Sequence, residues 1–206
     1  MVAVAREAER IGFDSIWLYD HLQSRDEVVG TMFECWTSLA ALARETSRVR
    51  LGQLVTCALY RNPSLLAEMA ATVDDASGGR LVLGLGSGWD ETEYRTFGYG
   101  DDYPAVGERL RRLEATLRVV AGRLAESRPP LLVGGAGERV LLRLVAQHAD
   151  ACNLTDSRDP AFYRHKLDML RRHCDDVGRD YEEILRTASF TVSAGELGTG
   201  DLGPMF

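Results

Sequence analysis

The chain has 206 residues, 45% of them hydrophobic, and a formal net charge of −7. This length suits one globular domain, and the acidic balance argues against nucleic acid because phosphate binding needs a basic face. No apolar run approaches the roughly 20 residues that a membrane helix requires, and the N-terminal residues lack a signal-peptide core. We therefore expect a cytoplasmic protein without nucleic-acid or membrane partners.

Cysteine and histidine spacing indicates neither a disulfide framework nor a metal site. The four cysteines form no CxxC pair, and no HxH or HExxH motif occurs. We expect reduced, packed thiols and no metal ion. Three histidines fall on helical patterns with charged neighbours, and we interpret them as surface or packing residues: His148, His165 and His173.

Helical and strand patterns alternate along the chain. The predicted helices are 2–11, 34–46, 62–76, 107–121, 137–148 and 160–177, and the predicted strands are 14–19, 49–57, 81–86, 131–134, 150–154 and 184–192. Asn62-Pro63 and Asp159-Pro160 are N-cap and first-turn pairs, and Gly78-Gly79 is a left-handed helix end. The pattern predicts six strands with intervening helices.

The strands are apolar without alternation, which indicates burial on both faces, as in a parallel sheet covered by helices. This predicts an α/β fold with no internal linker. Six such strands fit either a doubly wound sheet or a (β/α) barrel, and periodicity does not choose between them. A closed eight-strand barrel commonly needs about 250 residues.

Two glycine-rich segments follow predicted strands. The run from Gly84 to Trp89 has tryptophan at the third glycine position of GxGxxG, so the dinucleotide fingerprint fails, and it lacks the spacing of a GxSxG elbow. Gly134-Gly135 lies between a strand and a helix, where free helix N–H groups can bind an anion. The alternative for Gly134-Gly135 is a tight βα turn.

Polar side chains also follow strand ends. Asp20-His21 ends the strand "DSIWLY", and a histidine there can act as an acid or base near neutral pH. The alternative is a capping aspartate and a loop histidine. Glu93 follows "GSGWD" and is either a polar group of the site or a solvated loop acid. Trp89 either stacks on a ring or packs in the core.

Three ordered segments resemble the luciferase-like monooxygenase family, and are most similar to its branch that uses the deazaflavin coenzyme F-420. They are "EAERIGFDSIWLYDHL", the run from Arg48 to Gly100 that contains "LGQLVT" and "GLGSGWDETEY", and "PPLLVGGAGERVLLRLVAQHADACNLT". The resemblance covers most of residues 3–190. It implies a TIM-like (β/α) barrel with the cofactor ring over the C-terminal strand ends.

The resemblance also implies roles for individual residues. Asp20 and His21 lie near the reactive ring, and together with Glu93, the candidate from the residues themselves, they form our predicted catalytic set. A non-prolyl cis peptide at Leu54-Val55 supports the ring. The remaining cofactor contacts implied are Thr56, Gly86, Ser87, Gly88 and Trp89 around the ring, and Gly134 and Gly135 at a phosphate. Sugar-phosphate dehydrogenases of this branch have a catalytic glutamate where Trp89 stands, which argues against a glucose-phosphate substrate.

This chain departs from the family pattern at both ends and before the fifth strand. The first strand and the eighth βα unit have no counterpart, and Val120 reaches Pro129 through only eight residues. We interpret residues 1–206 as a single luciferase-like (β/α) barrel domain truncated at both ends, with six of eight strands. Unpaired strand edges favour association, so we expect a homodimer or higher oligomer.

Three functions remain open at this point. The first is hydride transfer between the deazaflavin F-420 and a small organic substrate, with His21 as proton donor or acceptor. The second is an FMN-dependent monooxygenase that uses reduced flavin and oxygen. The third is a non-catalytic or decayed flavin-binding relative.

Overall fold

The chain divides after Val133 into two compact units. The computed structural model describes residues 1–23, 32–125, 129–155, 157 and 159–190. A single barrel domain over residues 1–206 stays a prediction.

The first unit, Met1–Val133, is a parallel sheet with helical connections. In the sheet, β1 pairs with β2, β2 with β4, and β4 with β5, while the short β3 also pairs with β4. The elements in chain order are α1 (Val2–Ile11), β1 (Ser15–Leu18), α2 (Cys35–Glu45), β2 (Arg50–Gln53), β3 (Thr56–Cys57), α3 (Pro63–Ser77), β4 (Leu81–Gly86), α4 (Glu91–Thr96), α5 (Val106–Arg123) and β5, which spans Leu131–Gly134.

Strand β4 is the centre of this unit, and each of its residues is buried. Its neighbour β2 approaches so closely that a Cβ at Gly84 would lie 1.9 Å from the carbonyl oxygen of Gln53. The Gly84 N–H also donates to the Gln53 Oε1 at 3.2 Å, which ties the two strands together at this point. Glycine at position 84 is therefore required by the spacing of two strands.

The helix ends follow the predicted cap residues. The Asn62 side chain accepts hydrogen bonds from the N–H groups of Ser64 and Leu65 at the start of α3, and Pro63 occupies the first turn. Gly78 ends the same helix at φ 71°, in the left-handed region that glycine favours. These local signals are confirmed.

The second unit, which starts at Gly134, contains a two-stranded parallel sheet and its helices. Its elements are α6 (Leu141–His148), β6 (Ala151–Thr155), α7 (Pro160–Val177), a 3-10 helix (Tyr181–Glu183) and β7 (Leu185–Ser189). Five residue pairs join β6 to β7. The Asp159 side chain caps α7 by accepting from the Ala161 N–H at 2.8 Å, as predicted.

The described residues contain a strand at each of the six predicted positions, with three differences in detail. Strand 49–57 is interrupted at Leu54-Val55 and forms β2 and β3. Helix α6 begins at Leu141 instead of residue 137, because residues 138–140 form a turn. Helix α4 lies in the predicted loop, where six residues are too few to show a helical period. Residues 191–192 of the last predicted strand lie outside the described residues.

Two further findings concern the cysteines and membrane-spanning helices. All four cysteines are free and buried, as predicted. No described helix combines the length and the hydropathy that crossing a bilayer demands.

We predict that Gly84→Ala destabilises the protein by about 3 kcal/mol or more, because two rigid backbones would have to separate. Gly122→Ala in α5 is the matched control, since its Cβ would meet no atom within 4 Å. That variant should be neutral or more stable by up to about 1 kcal/mol. Urea unfolding of both variants measures the difference, and equal stabilities would contradict the prediction.

Candidate active site

Three neighbouring parallel strands end at one edge of the first unit's sheet. Strand β1 leads to Asp20-His21, β2 leads to Leu54-Val55, and β4 leads to the turn Ser87–Trp89. In the strand register, Leu18 pairs with Gln53, and Cys57 pairs with Gly86. The carboxyl ends of parallel strands are where α/β proteins place their sites. The predicted residues of this unit therefore come together at that edge.

Glu93 is the buried acceptor of this edge. It lies on α4, is buried, and accepts four hydrogen bonds. Its Oε1 accepts from the N–H groups of Leu22 at 2.5 Å and Gln23 at 3.1 Å. Its Oε2 lies 2.6 Å from the Tyr60 hydroxyl and 3.0 Å from the His21 Nδ1. The alternative of a solvated loop acid is wrong, because α4 holds the carboxylate inside.

The position of Glu93 depends on Asp90, the N-cap residue of α4. The Asp90 side chain accepts from the Glu93 N–H at 3.0 Å and so caps α4. This cap fixes the first turn, on which Glu93 lies.

His21 is oriented by this carboxylate. With Nδ1 donating to Glu93, the neutral imidazole carries its proton on Nδ1 and leaves a lone pair on Nε2. The His21 side chain is 27% exposed, whereas the Glu93 side chain is 1% exposed. Nε2 can therefore accept or return a proton, while Glu93 keeps the ring in place.

Tyr60 donates to the same carboxylate and stays protonated. Burial, and then the hydrogen bond to Glu93, raise the pKa of the Tyr60 hydroxyl well above its ordinary value. The sequence reasoning missed Tyr60. Its only signal is its place in "YRNP", directly before the capped start of α3.

Asp20 is held in a buried ion pair. Arg61 donates from Nη1 to Oδ2 at 2.6 Å and from Nη2 to Oδ1 at 2.9 Å, and the Cys57 N–H donates to Oδ2 at 3.0 Å. Arg61 also donates to Glu34, which caps α2. The geometry thus anchors Asp20 next to His21 in the chain, and its predicted part in catalysis stays a prediction.

Arg61, also missed from sequence, keeps its charge in this environment. Burial lowers the pKa of the guanidinium, but the hydrogen bonds and charges of Asp20 and Glu34 outweigh it and raise the pKa overall. Arg61 therefore joins the end of β1 to the start of α2 as a permanent cation.

The peptide bond between Leu54 and Val55 is cis, as the resemblance implied. Both residues are partly exposed, although their neighbours Gln53 and Thr56 are fully buried. An apolar pair that emerges at a strand end fits the face of a flat ring. Thr56 itself is inaccessible, so the predicted cofactor contact of its side chain does not fit this arrangement.

The turn after β4 packs tightly over β3. Gly88 has φ 77°, and a Cβ there would lie 2.7 Å from the Cys57 sulfur. Burial raises the pKa of Cys57 to about 12, so this thiol stays protonated. Gly86 is buried, whereas Ser87 and Gly88 are partly exposed and can line a pocket. A side chain at position 88 would clash with Cys57 and prevent this close packing of the turn on β3.

Trp89 lies beside His21. It is 57% exposed, and its ring centroid is 5.5 Å from the imidazole at an interplanar angle of 74°. The alternative of core packing is therefore wrong for this tryptophan.

The glycine turn of the second unit is built as a tight turn. Gly135 has φ 126°, and its N–H donates to the Asn153 carbonyl at 3.0 Å. This N–H is therefore already used inside the protein, which disfavours the predicted phosphate contact at Gly135. Gly134 ends β5, and its phosphate contact stays a prediction.

Beyond this turn, Glu138 accepts from the Lys166 ammonium at 2.5 Å and lies 3.0 Å from the His165 Nε2. The hydrogen bond from Lys166, and then that from His165, lower the pKa of Glu138. His165 is exposed, and the His173 Nε2 lies 2.7 Å from the Glu138 carbonyl. Both contacts agree with surface or packing roles for these histidines.

One group of metal-ligand atoms occurs among the described residues. His21, Asp90 and Glu93 each place one ligand atom within 4.8 Å of the others. However, both Glu93 oxygens already accept two hydrogen bonds, and Asp90 caps α4. The geometry therefore fits a hydrogen-bonded cluster better than a coordination sphere.

We predict that Glu93→Gln lowers the free energy of unfolding by about 2–3 kcal/mol, because an amide cannot accept from all four donors. Glu91→Gln is the matched control, since Glu91 is exposed and makes only a surface pair with Arg95. It should change stability by less than about 0.5 kcal/mol.

The same pair of variants tests the orientation of His21. Long-range ¹H–¹⁵N spectra should show the Nδ1-protonated tautomer in the parent and in Glu91→Gln, and its loss in Glu93→Gln. An unchanged tautomer in Glu93→Gln would show that Glu93 does not orient the ring.

Comparisons with known proteins found similar sequences and structures. The chain is 30% identical over 183 residues to an F420-dependent glucose-6-phosphate dehydrogenase of Microbacterium testaceum, covering 78% of this chain and 53% of that one. Among solved structures, an F420-dependent secondary alcohol dehydrogenase in complex with an F420-acetone adduct superposes with a TM-score of 0.79 at 20% identity, covering 91% of this chain and 63% of that one. The EDTA monooxygenase of Chelativorans sp. BNC1 gives 0.77 at 17%, covering 92% and 56%.

These structural matches confirm the predicted fold class, an α/β fold of the TIM-like (β/α) barrel type. The chain spans little more than half the length of the relatives it matches. The model of the luciferase-like monooxygenase family matches residues 1–197. The chain therefore belongs to the luciferase-like monooxygenase family.

Proposed function

We propose that this protein is an oxidoreductase that transfers a hydride between the deazaflavin F-420 and a small organic alcohol or carbonyl compound. The observation that carries this proposal is the contact between the His21 Nδ1 and Glu93. This contact leaves the His21 Nε2 for proton transfer at the carboxyl ends of the strands. The F420-dependent relatives support the choice of cofactor.

The described residues fit a flat cofactor ring at this edge. Leu54 and Val55 would support one face, and Ser87 and Gly88 would line its side. Bound deazaflavin would supply hydride acceptor or donor chemistry. His21 would take the hydroxyl proton of an alcohol on Nε2 as the alcohol is oxidised, and would return it to the oxygen in the reverse direction.

The alternative is an FMN-dependent monooxygenase. The likeness to the EDTA monooxygenase structure supports it, and the same strand edge would hold the flavin ring. A non-catalytic flavin-binding relative is the third candidate. We favour the first function because the ordered histidine supplies the proton transfer that alcohol oxidation requires.

Titration of the purified protein with F-420 and with FMN, followed by fluorescence quenching, tests these functions. We expect saturable binding of F-420 with an affinity well above that of FMN. Preferential binding of FMN would favour the monooxygenase, and binding of neither would overturn both enzyme assignments.

We further predict that His21→Ala lowers turnover by about 10²–10⁴-fold while cofactor affinity changes little, because proton transfer by a positioned side chain contributes that much. His165→Ala, which removes an exposed histidine of the second unit, is the control and should retain full turnover. Steady-state kinetics and the cofactor titration separate the two effects. Full turnover in His21→Ala would show that His21 does not transfer the proton.

We also propose that the chain forms a homodimer or higher oligomer through the face of α1 and β1. Val4 and Ile11 are exposed large apolar residues on one side of α1, and all four residues of β1 are only partly buried. Light scattering over a dilution series should show a dimer or larger species that Ile11→Lys dissociates and Leu65→Lys, an exposed control on α3, does not. A monomer at every concentration would refute this.

The four free, buried cysteines support our proposal of a cytoplasmic location.

A further inference from the structure

Two exposed aromatic rings flank the His21 imidazole. The Tyr19 centroid lies 6.4 Å from that of His21, and the Trp89 centroid lies 5.5 Å from it. Tyr19 is 67% exposed and Trp89 is 57% exposed. Large aromatic side chains commonly bury most of their surface. Two aromatic rings that are more than half exposed, next to a partly exposed imidazole, indicate a surface on which a ligand packs.

The charges around His21 are mainly negative. Among the described residues, Asp90 and Glu93 place carboxyl oxygens close to His21, and the carboxyl group of Asp20 belongs to the adjacent residue. The guanidinium of Arg61 binds Asp20 and also reaches Glu34. Arg61 already binds Asp20 and Glu34, so its charge is not available to an anion.

The second guanidinium at these strand ends is also engaged. Arg109 donates from Nε to the Gly88 carbonyl at 3.1 Å and from Nη1 to the Pro104 carbonyl at 2.8 Å. A phosphate or carboxylate placed at His21 would thus face several acidic groups and two cations that bind the protein itself. Like charges at short range are repulsive, and more strongly so where water is excluded.

We propose that the substrate of this site is a neutral alcohol or ketone whose apolar substituent packs on Trp89 and Tyr19, and that the site discriminates against phosphorylated sugars. This inference rests on the proposed hydride-transfer function. The substrate oxygen would meet the His21 Nε2, and Trp89 would hold the substituent. Trp89 is thus a specificity-determining residue, and its contact with the substituent does not depend on the transfer of the proton.

Nuclear magnetic resonance of the indole N–H groups tests this directly, with and without F-420. The chain has three tryptophans, and Trp89→Phe assigns the signal of Trp89. The probes are 1-phenylethanol as a neutral aryl alcohol and glucose 6-phosphate as an anionic one. We expect 1-phenylethanol to shift the Trp89 signal saturably and glucose 6-phosphate to leave it unchanged at the same concentration.

Trp89→Ala should weaken 1-phenylethanol binding about tenfold, as the loss of one packed aromatic surface predicts. Leu65→Ala, which removes an exposed apolar side chain of α3, should leave that affinity unchanged. The affinity of both variants is measured by calorimetry.

Equal binding of glucose 6-phosphate, or full affinity of Trp89→Ala for 1-phenylethanol, would overturn the inference. Its failure is distinguishable from that of the proposed function. If F-420 binds but 1-phenylethanol produces no shift, the substrate class is wrong and the cofactor assignment stands. If F-420 does not bind but the shift persists, the aromatic surface is supported and the hydride-transfer function fails.

Discussion

The buried carboxylate of Glu93 is the constraint on which the site depends. A carboxylate inside a protein needs hydrogen-bond donors, because burial without them costs several kcal/mol. Here the donors come from two separate parts of the chain: the segment after β1, which supplies His21 and two backbone N–H groups, and Tyr60 after β3. Satisfying one charge therefore brings the ends of β1 and β3 to α4. The orientation of His21 follows from this requirement.

A second charged cluster extends the same logic to α2. Arg61 binds Asp20 through both oxygens and reaches Glu34, whose carboxylate also accepts from the first N–H groups of α2. Bidentate pairs of this kind specify geometry as well as contributing energy. Asp20 and Glu93 are thus anchored by different donors. The Asp20 carboxylate binds Arg61 and the Cys57 N–H, whereas the Glu93 carboxylate contacts the imidazole of His21.

The two glycine-rich segments of the chain have different structural roles. Around Gly84 and Gly88, glycine permits backbone and side chains to approach within distances that a Cβ would forbid. At Gly135, glycine permits a positive φ whose N–H is consumed by a neighbouring strand. A run of glycines after a strand is therefore compatible with a ligand cradle and with a closed turn, and only the partner of each N–H distinguishes them.

The sequence by itself determined the order of the elements, because strand and helix periodicity and cap residues such as Asn62 and Asp159 are local properties. The family resemblance added the cis bond at Leu54-Val55 and the importance of His21. Tertiary structure alone decided what those residues contact. Glu93 lies 72 positions from His21, and Arg61 lies 41 from Asp20. The periodicity of hydrophobic residues along the sequence does not predict such pairs. They depend on which strands become neighbours and on where the short helix α4 lies relative to the strand ends.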